Sequence, residues 1–84
     1  MKSFSELGSA VAARRRALRL KQTFVARKVG LPPEMLSRLE RGVLTEFGSR
    51  KLLAILAVLG MELQFVESGH AGSLDELRKE RGTS

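Results

Sequence analysis

Residues 20–42 read LKQTFVARKVGLPPEMLSRLERG, and the fold turns on how this stretch is divided. Gln22 to Val29 has Val25, Ala26 and Val29 on one side of a helical repeat, and Gly30 follows as a stop. Leu31-Pro32-Pro33 comes next. Proline is tolerated in the first turn of a helix, where no intrahelical N–H bond is lost. A further helix is therefore predicted from Pro32 or Pro33 to Arg41, with Leu36 and Leu39 inward and Gly42 as its end. Two short helices joined by a few residues around Gly30 are the result.

Working outward, Ser3 and Glu6 stand at capping-box spacing. Phe4, Leu7, Val11 and Leu18 then recur at roughly helical intervals among alanines, which predicts a first helix over residues 5–20. Residues 42–48 read as a loop. Ser49 is a plausible N-cap for a fourth helix over residues 50–59, closed by Gly60. From Met61 to Glu67 the apolar period changes to two, with Met61, Leu63 and Phe65 on one side, as in a β-strand. Ser73 and Glu76 again have capping-box spacing, so residues 68–84 are expected to form a flexible or weakly helical tail.

Composition narrows the chemistry. The chain has 84 residues and no cysteine, which excludes disulfides, thiol catalysis and Cys-ligated metals. A single histidine, His70, reads as an ordinary loop residue and excludes the usual His clusters. No nucleophile–base pair and no metal set is visible, so neither an enzyme nor a cofactor is expected. No apolar run reaches about 18 residues, and the first residues carry no signal-peptide core. No membrane association and a cytoplasmic location are the expectations.

Charge points to the partner. Lys and Arg number 15 against 9 acids, a net of +6. Residues 1–52 hold 12 basic residues against Glu6, Glu34, Glu40 and Glu46, a net of +8, and residues 53–84 carry a net of −2. A basic body with an acidic end suggests a polyanion for the first part. Arg14, Arg15, Arg16 and Arg19 have no interleaved aromatics, so they read as a source of field strength rather than of single-strand stacking.

Residues 20–42 resemble the phage-repressor-type helix-turn-helix family, also called the xenobiotic-response-element family. The likeness lies in Gln22 opening the second helix, Val25-Ala26, Gly30 in the turn, and Leu36-Ser37-Arg38-Leu39-Glu40-Arg41-Gly42. It extends more loosely over residues 4–67. The fold implied is all-α, a four- to five-helix phage-repressor-like domain over residues 1–67 with one C-terminal strand, 61–67, pairing across a homodimer.

The resemblance implies binding to double-stranded DNA, with the third helix in the major groove and the second bracing it. The first exposed residues of the third helix are then the base-reading candidates: Pro33, Glu34, Met35, Ser37 and Arg38. Arg38 can bond both guanine acceptors or hold a phosphate. Glu34 can accept from cytosine N4 or simply favour the helix dipole. Met35 can touch a thymine methyl or cover the core. Pro32, Pro33 and Glu34 replace the Gln, Lys or Arg that many family members carry there. Candidate phosphate contacts are Gln22, Arg27, Lys28, Thr45, Arg50 and Lys51. The resemblance also implies an ion pair between Glu40 and Arg15.

A strand with no evident partner in its own chain is expected to pair with its copy. Leu56, Leu59, Met61, Leu63 and Phe65 are the candidate dimer residues. This end resembles HipB-like antitoxins. Two functions are thereby implied: a homodimeric repressor or autorepressor on a palindromic operator, and an antitoxin that also binds a kinase-like toxin protein, to which residues 68–84 would contribute. A basic, nonspecific nucleoid protein is the third reading.

Overall fold

The computed structural model describes residues 3–67, which form four α-helices: α1 (Phe4–Ala17), α2 (Gln22–Val29), α3 (Pro33–Glu40) and α4 (Ser49–Val58). The expected tail helix lies outside the described residues. So does His70.

Local signals account for most helix boundaries. The Ser3 hydroxyl accepts the Glu6 N–H at 3.3 Å and caps α1. Pro32 holds the extended cap position of α3 and Pro33 is its first helical residue. At α4 the expectation needs correction. Ser49 lies inside the helix, and the extended Gly48 occupies the cap position without any side-chain bond. A helix starts wherever the chain leaves extended backbone, and here that happens one residue early.

The four helix ends share one closing device. Past the end of each, a residue in left-handed backbone lets the next N–H reach five residues back: Leu31 to Ala26 O, Val43 to Arg38 O, Met61 to Leu56 O and Leu20 to Arg15 O. Glycine holds the left-handed position after α2, α3 and α4. After α1 it is Arg19, at φ 58°, the only non-glycine with positive φ among the described residues. The first helix therefore ends at Ala17, shorter than its alanine-rich pattern suggests.

The core is one contiguous cluster in which Val11, Val25, Val29, Leu36, Leu39, Ile55, Leu56 and Leu59 are buried. Helix α3 packs on α1 and α2, and α2 packs on α4. The buried face of α1 is Gly8, Val11 and Ala12. Leu18, expected inward, is partly exposed. Gly8 is a contact point: a Cβ there would run into the Leu39 carbonyl oxygen of α3.

The all-α architecture is as expected, and the strand expected over residues 61–67 is not formed within the single chain. No strand occurs among the described residues, and the segment runs on from α4 without a ladder. Among the described residues this segment has no strand to pair with. Leu56 and Leu59, expected at a dimer surface, are buried in the chain's own core. They belong to the chain's own core cluster, and a periodic apolar pattern does not say which copy covers it.

Helices α1, α2 and α3 are tied by one buried carboxylate. Glu40 takes Arg15 Nε at 2.7 Å and Nη2 at 2.9 Å, a fork-to-fork pair. The third arm of Arg15, Nη1, donates to the Leu20 carbonyl at 2.8 Å. The Gln22 side-chain amide donates to Glu40 at 2.8 Å. No buried side-chain polar atom is left unsatisfied among the described residues. The hydrogen bond to Glu40 raises the Arg15 pKa above its ordinary value, against the lowering by burial. A raised basic group stabilises the fold below its unfolded pKa and loses that effect only above the folded one, so the Arg15 contribution persists until strong alkali.

Two stability outcomes follow from this arrangement. Arg19→Gly removes the side-chain clash of left-handed backbone and is expected to stabilise the protein by about 1 kcal/mol, a rise in Tm of about 5 °C by thermal melting. Glu40→Ala takes the carboxylate from the partly buried Arg15 and Gln22 and is expected to cost about 3 kcal/mol in urea unfolding. A change under about 0.5 kcal/mol would show the knot to be dispensable.

Candidate nucleic-acid interface

Helix α3 buries Leu36, Leu39 and Glu40. By the 100° helical step, the opposite side carries Glu34, Ser37, Arg38 and Arg41. The structure brings these into two parallel i,i+4 pairs. Arg38 Nη2 donates to Glu34 Oε1 at 2.7 Å. Arg41 Nε donates to Ser37 Oγ at 3.3 Å. Glu34, Arg38 and Arg41 are exposed, and Ser37 is half-buried between them. Arg41 was not among the residues predicted for this face. It stands four residues after Ser37, at the helix end that Gly42 marks as a stop.

The other two reading candidates sit off this face. Pro33 is exposed at the first helical position. Met35 is half-buried and lines a groove of about 520 Å³ with Leu31, Phe47, Gly48, Glu46 and Lys51. Its side chain thus covers the flank between α3 and the start of α4.

Three helices open with amide groups that no side chain caps. Neither α2, α3 nor α4 has a side-chain cap, whereas α1 has Ser3. Orphan N–H groups of this kind suit anions, though Pro33 removes one from α3. At the start of α2, Gln22 is half-buried and its amide nitrogen is committed to Glu40. Its own backbone N–H and its amide oxygen have no bond to a described residue of another helix. Thr45 is exposed in the loop before α4 and Arg50 is exposed in its first turn.

The cations divide into two groups. Some hold the fold. Lys51 Nζ donates to the Val29 carbonyl at 2.8 Å, capping the end of α2. Arg14 Nε donates to the Leu59 carbonyl at 2.9 Å, at the end of α4. Lys51 and Arg14 thus place cations at the carbonyl ends of two helices, where positive charge is favoured, and Arg15 holds the Leu20 carbonyl in the linker between α1 and α2. Lys51 is partly engaged already, and Arg14 and Arg15 serve the fold as well as carrying charge. The others point outward: Arg16, Arg19, Lys21, Arg27, Lys28, Arg38, Arg41 and Arg50 are all exposed. Lys28 lies 5.5 Å from the ring centroid of Phe24, so its ammonium rests over an aromatic face.

The expected dimer residues are not one surface. Leu56 and Leu59 are interior. Met61 is half-buried, its N–H bound to Leu56 O at 2.8 Å. Leu63, Phe65 and Val66 are exposed, Phe65 at 93% and Val66 at 83%. Among the described residues no group of three metal-binding side chains occurs, and no helix is long and apolar enough to cross a membrane.

The chain matches no curated protein and no solved structure. A family model described as a helix-turn-helix domain matches residues 1–66. That span covers all four helices, the turn at Gly30 and the outward face of α3, and DNA binding is the activity it supports. The chain belongs to the helix-turn-helix domain family.

Proposed function

We propose that this protein is a sequence-specific, double-stranded DNA-binding regulator of the phage-repressor type. It acts as a homodimer on a two-fold symmetric operator, as a repressor or autorepressor. The observation that carries this reading is the outward face of α3, where Glu34, Ser37, Arg38 and Arg41 form two side-chain pairs on a helix whose other face is locked into the core. One α-helix fills the major groove, and these side chains would meet the base edges. Pro33 would lie beside the bases at the helix start and Met35 at the groove flank.

Phosphates would hold the register. Gln22 and the amides that open α2 would meet one strand, and Thr45, Arg50 and the amides that open α4 the other. Arg27 and Lys28 would add charge, and Lys51 a hydrogen still free after its bond to Val29. Arg38→Ala is expected to relax discrimination at one base pair by about tenfold or more. Arg50→Ala should instead weaken every sequence alike and lower the log–log salt slope by about one. Selection of bound duplexes from a random pool at two salt concentrations tests the whole reading. A two-fold symmetric motif supports it; uniform recovery of all sequences refutes it in favour of nonspecific binding.

The dimer reading rests on the apolar residues that the monomer leaves uncovered. Phe65 and Val66 stand almost fully in solvent, with Leu63 half-covered beside them. Pairing residues 61–67 with the same segment of a second copy, antiparallel, would give the backbone groups of that edge partners and set Leu63 and Phe65 beside same-face side chains of the copy. A dimeric reader of this type meets half-sites about one turn of DNA apart, roughly 34 Å. The antitoxin role would draw on residues 68–84, outside the described residues. Light scattering at micromolar concentration is expected to give a dimer for the wild type and a monomer of equal helicity for Phe65→Glu with Val66→Glu. A monomeric wild type would remove the dimer.

A further inference from the structure

We infer that Glu34 and Arg38 form a single reading unit for one G·C base pair, Arg38 donating to guanine while Glu34 accepts from the paired cytosine. The inference deepens the DNA-reading role of α3 proposed above and rests on it.

The starting point is a carboxylate where DNA should repel one. Glu34 stands on the exposed face of α3, with its side chain 72% exposed, in a body of net positive charge. As a first-turn carboxylate it favours the helix dipole, yet that alone would leave it pointing anywhere. Instead it holds Arg38 at 2.7 Å, and the Arg38 side chain is itself 47% exposed. Glutamate four residues before the cation is the favourable order on a helix. The pair therefore presents a charge-neutral, oriented surface rather than two loose charges.

Its donor and acceptor order is specific. A guanidinium has two forks, Nη1 with Nη2 and Nη2 with Nε, and Nη2 carries one hydrogen for each. Glu34 takes one Nη2 hydrogen, so one complete fork remains whichever it takes. The second oxygen of Glu34 has no bond among the described residues. Read across, the unit offers donor, donor, acceptor. Across the major groove a G·C pair offers guanine N7 and O6, both acceptors, then the cytosine N4 amino donor. The two orders are complementary at all three places. An A·T pair offers acceptor, donor, acceptor, and mismatches the unit at two of the three. A lone arginine cannot make the third contact, and a lone glutamate cannot approach the phosphates without a cation beside it.

The pairing also separates this idea from simple charge. If Glu34 only repelled phosphates, removing it would tighten binding to every sequence by the same factor. If it reads cytosine and steadies Arg38, removing it would tighten binding to random DNA while weakening preference for G·C.

The experiment uses the full chain and duplexes carrying the motif selected by the wild type. Affinities are measured for that site and for the same site with each G·C pair in turn replaced by A·T. The wild type is expected to lose about tenfold or more at one G·C position in each half-site. Replacing its guanine by 7-deazaguanine, which lacks the N7 acceptor, should lower affinity for the wild type and leave Arg38→Ala unaffected. Glu34→Ala should lower the G·C preference there to within about threefold while raising affinity for random duplex. The double variant Glu34→Ala with Arg38→Ala should discriminate no worse than Arg38→Ala alone. An unchanged G·C preference in Glu34→Ala, with affinity shifted equally on all duplexes, overturns the inference and leaves the DNA-reading role intact. A wild type with no preference for any sequence overturns both. Because Glu34 is exposed and outside the core, circular dichroism should show the variant folded.

Discussion

The placement of α3 rests on one buried carboxylate. Glu40 is the only buried charged residue among the described ones, and it sits at the end of the helix that would enter DNA. Apolar contacts alone hold a helix to a core without fixing its rotation, because the hydrophobic effect is non-directional. Glu40 adds direction. It accepts from Arg15 of α1 and from Gln22 of α2, and Arg15 reaches on to the Leu20 carbonyl between them. Three elements are thereby keyed to one another at hydrogen-bond precision. Removing Glu40 takes a partner from both Arg15 and Gln22 at once, so the carboxylate is the member the arrangement can least lose.

Much of this was legible in the residue order, for identifiable reasons. Helix α2 begins at Gln22 and ends at Val29 as its pattern implies, because Gly30 marks the stop through backbone geometry that other residues resist. Helix α3 begins at the second of the two prolines for the equally local reason that Pro33 needs no N–H partner there. Other features depend on contacts that no spacing reveals. Arg19 hides the end of α1 because it occupies a conformation usually announced by glycine. Leu56 and Leu59 have the spacing of a buried face, and only the fold says that their own chain covers it. Lys51 and Arg14 read as surface charge, whereas each donates to a carbonyl at a helix end far along the sequence. The outward pairs on α3 lie between: the four-residue spacings were visible, but not that Arg38 turns back to Glu34.

The division of cations has a physical logic. The chain carries a net charge of +6, and self-repulsion on so small a body works against compactness. Placing Arg14 and Lys51 on carbonyls at the ends of α4 and α2, and Arg15 on the Leu20 carbonyl between α1 and α2, uses part of that charge to satisfy backbone acceptors. The rest stands outward, where a polyanion would neutralise it. One composition thus serves folding and association, and the two uses are separated by geometry rather than by residue type.

The same separation explains why α3 tolerates an unusual start. Pro32 and Pro33 give up the donors that a reading helix commonly offers at its tip, but they fix where the helix begins. With the start fixed by proline and the end by Glu40, the four outward side chains are held at both ends of a helix of only eight residues. Short helices are marginal alone, so a reading helix this brief must borrow its rigidity from its surroundings. Side-chain pairs such as Glu34–Arg38 then become useful: on a frame that does not move, ordering two long side chains against each other before DNA arrives lowers the entropy that binding would otherwise cost.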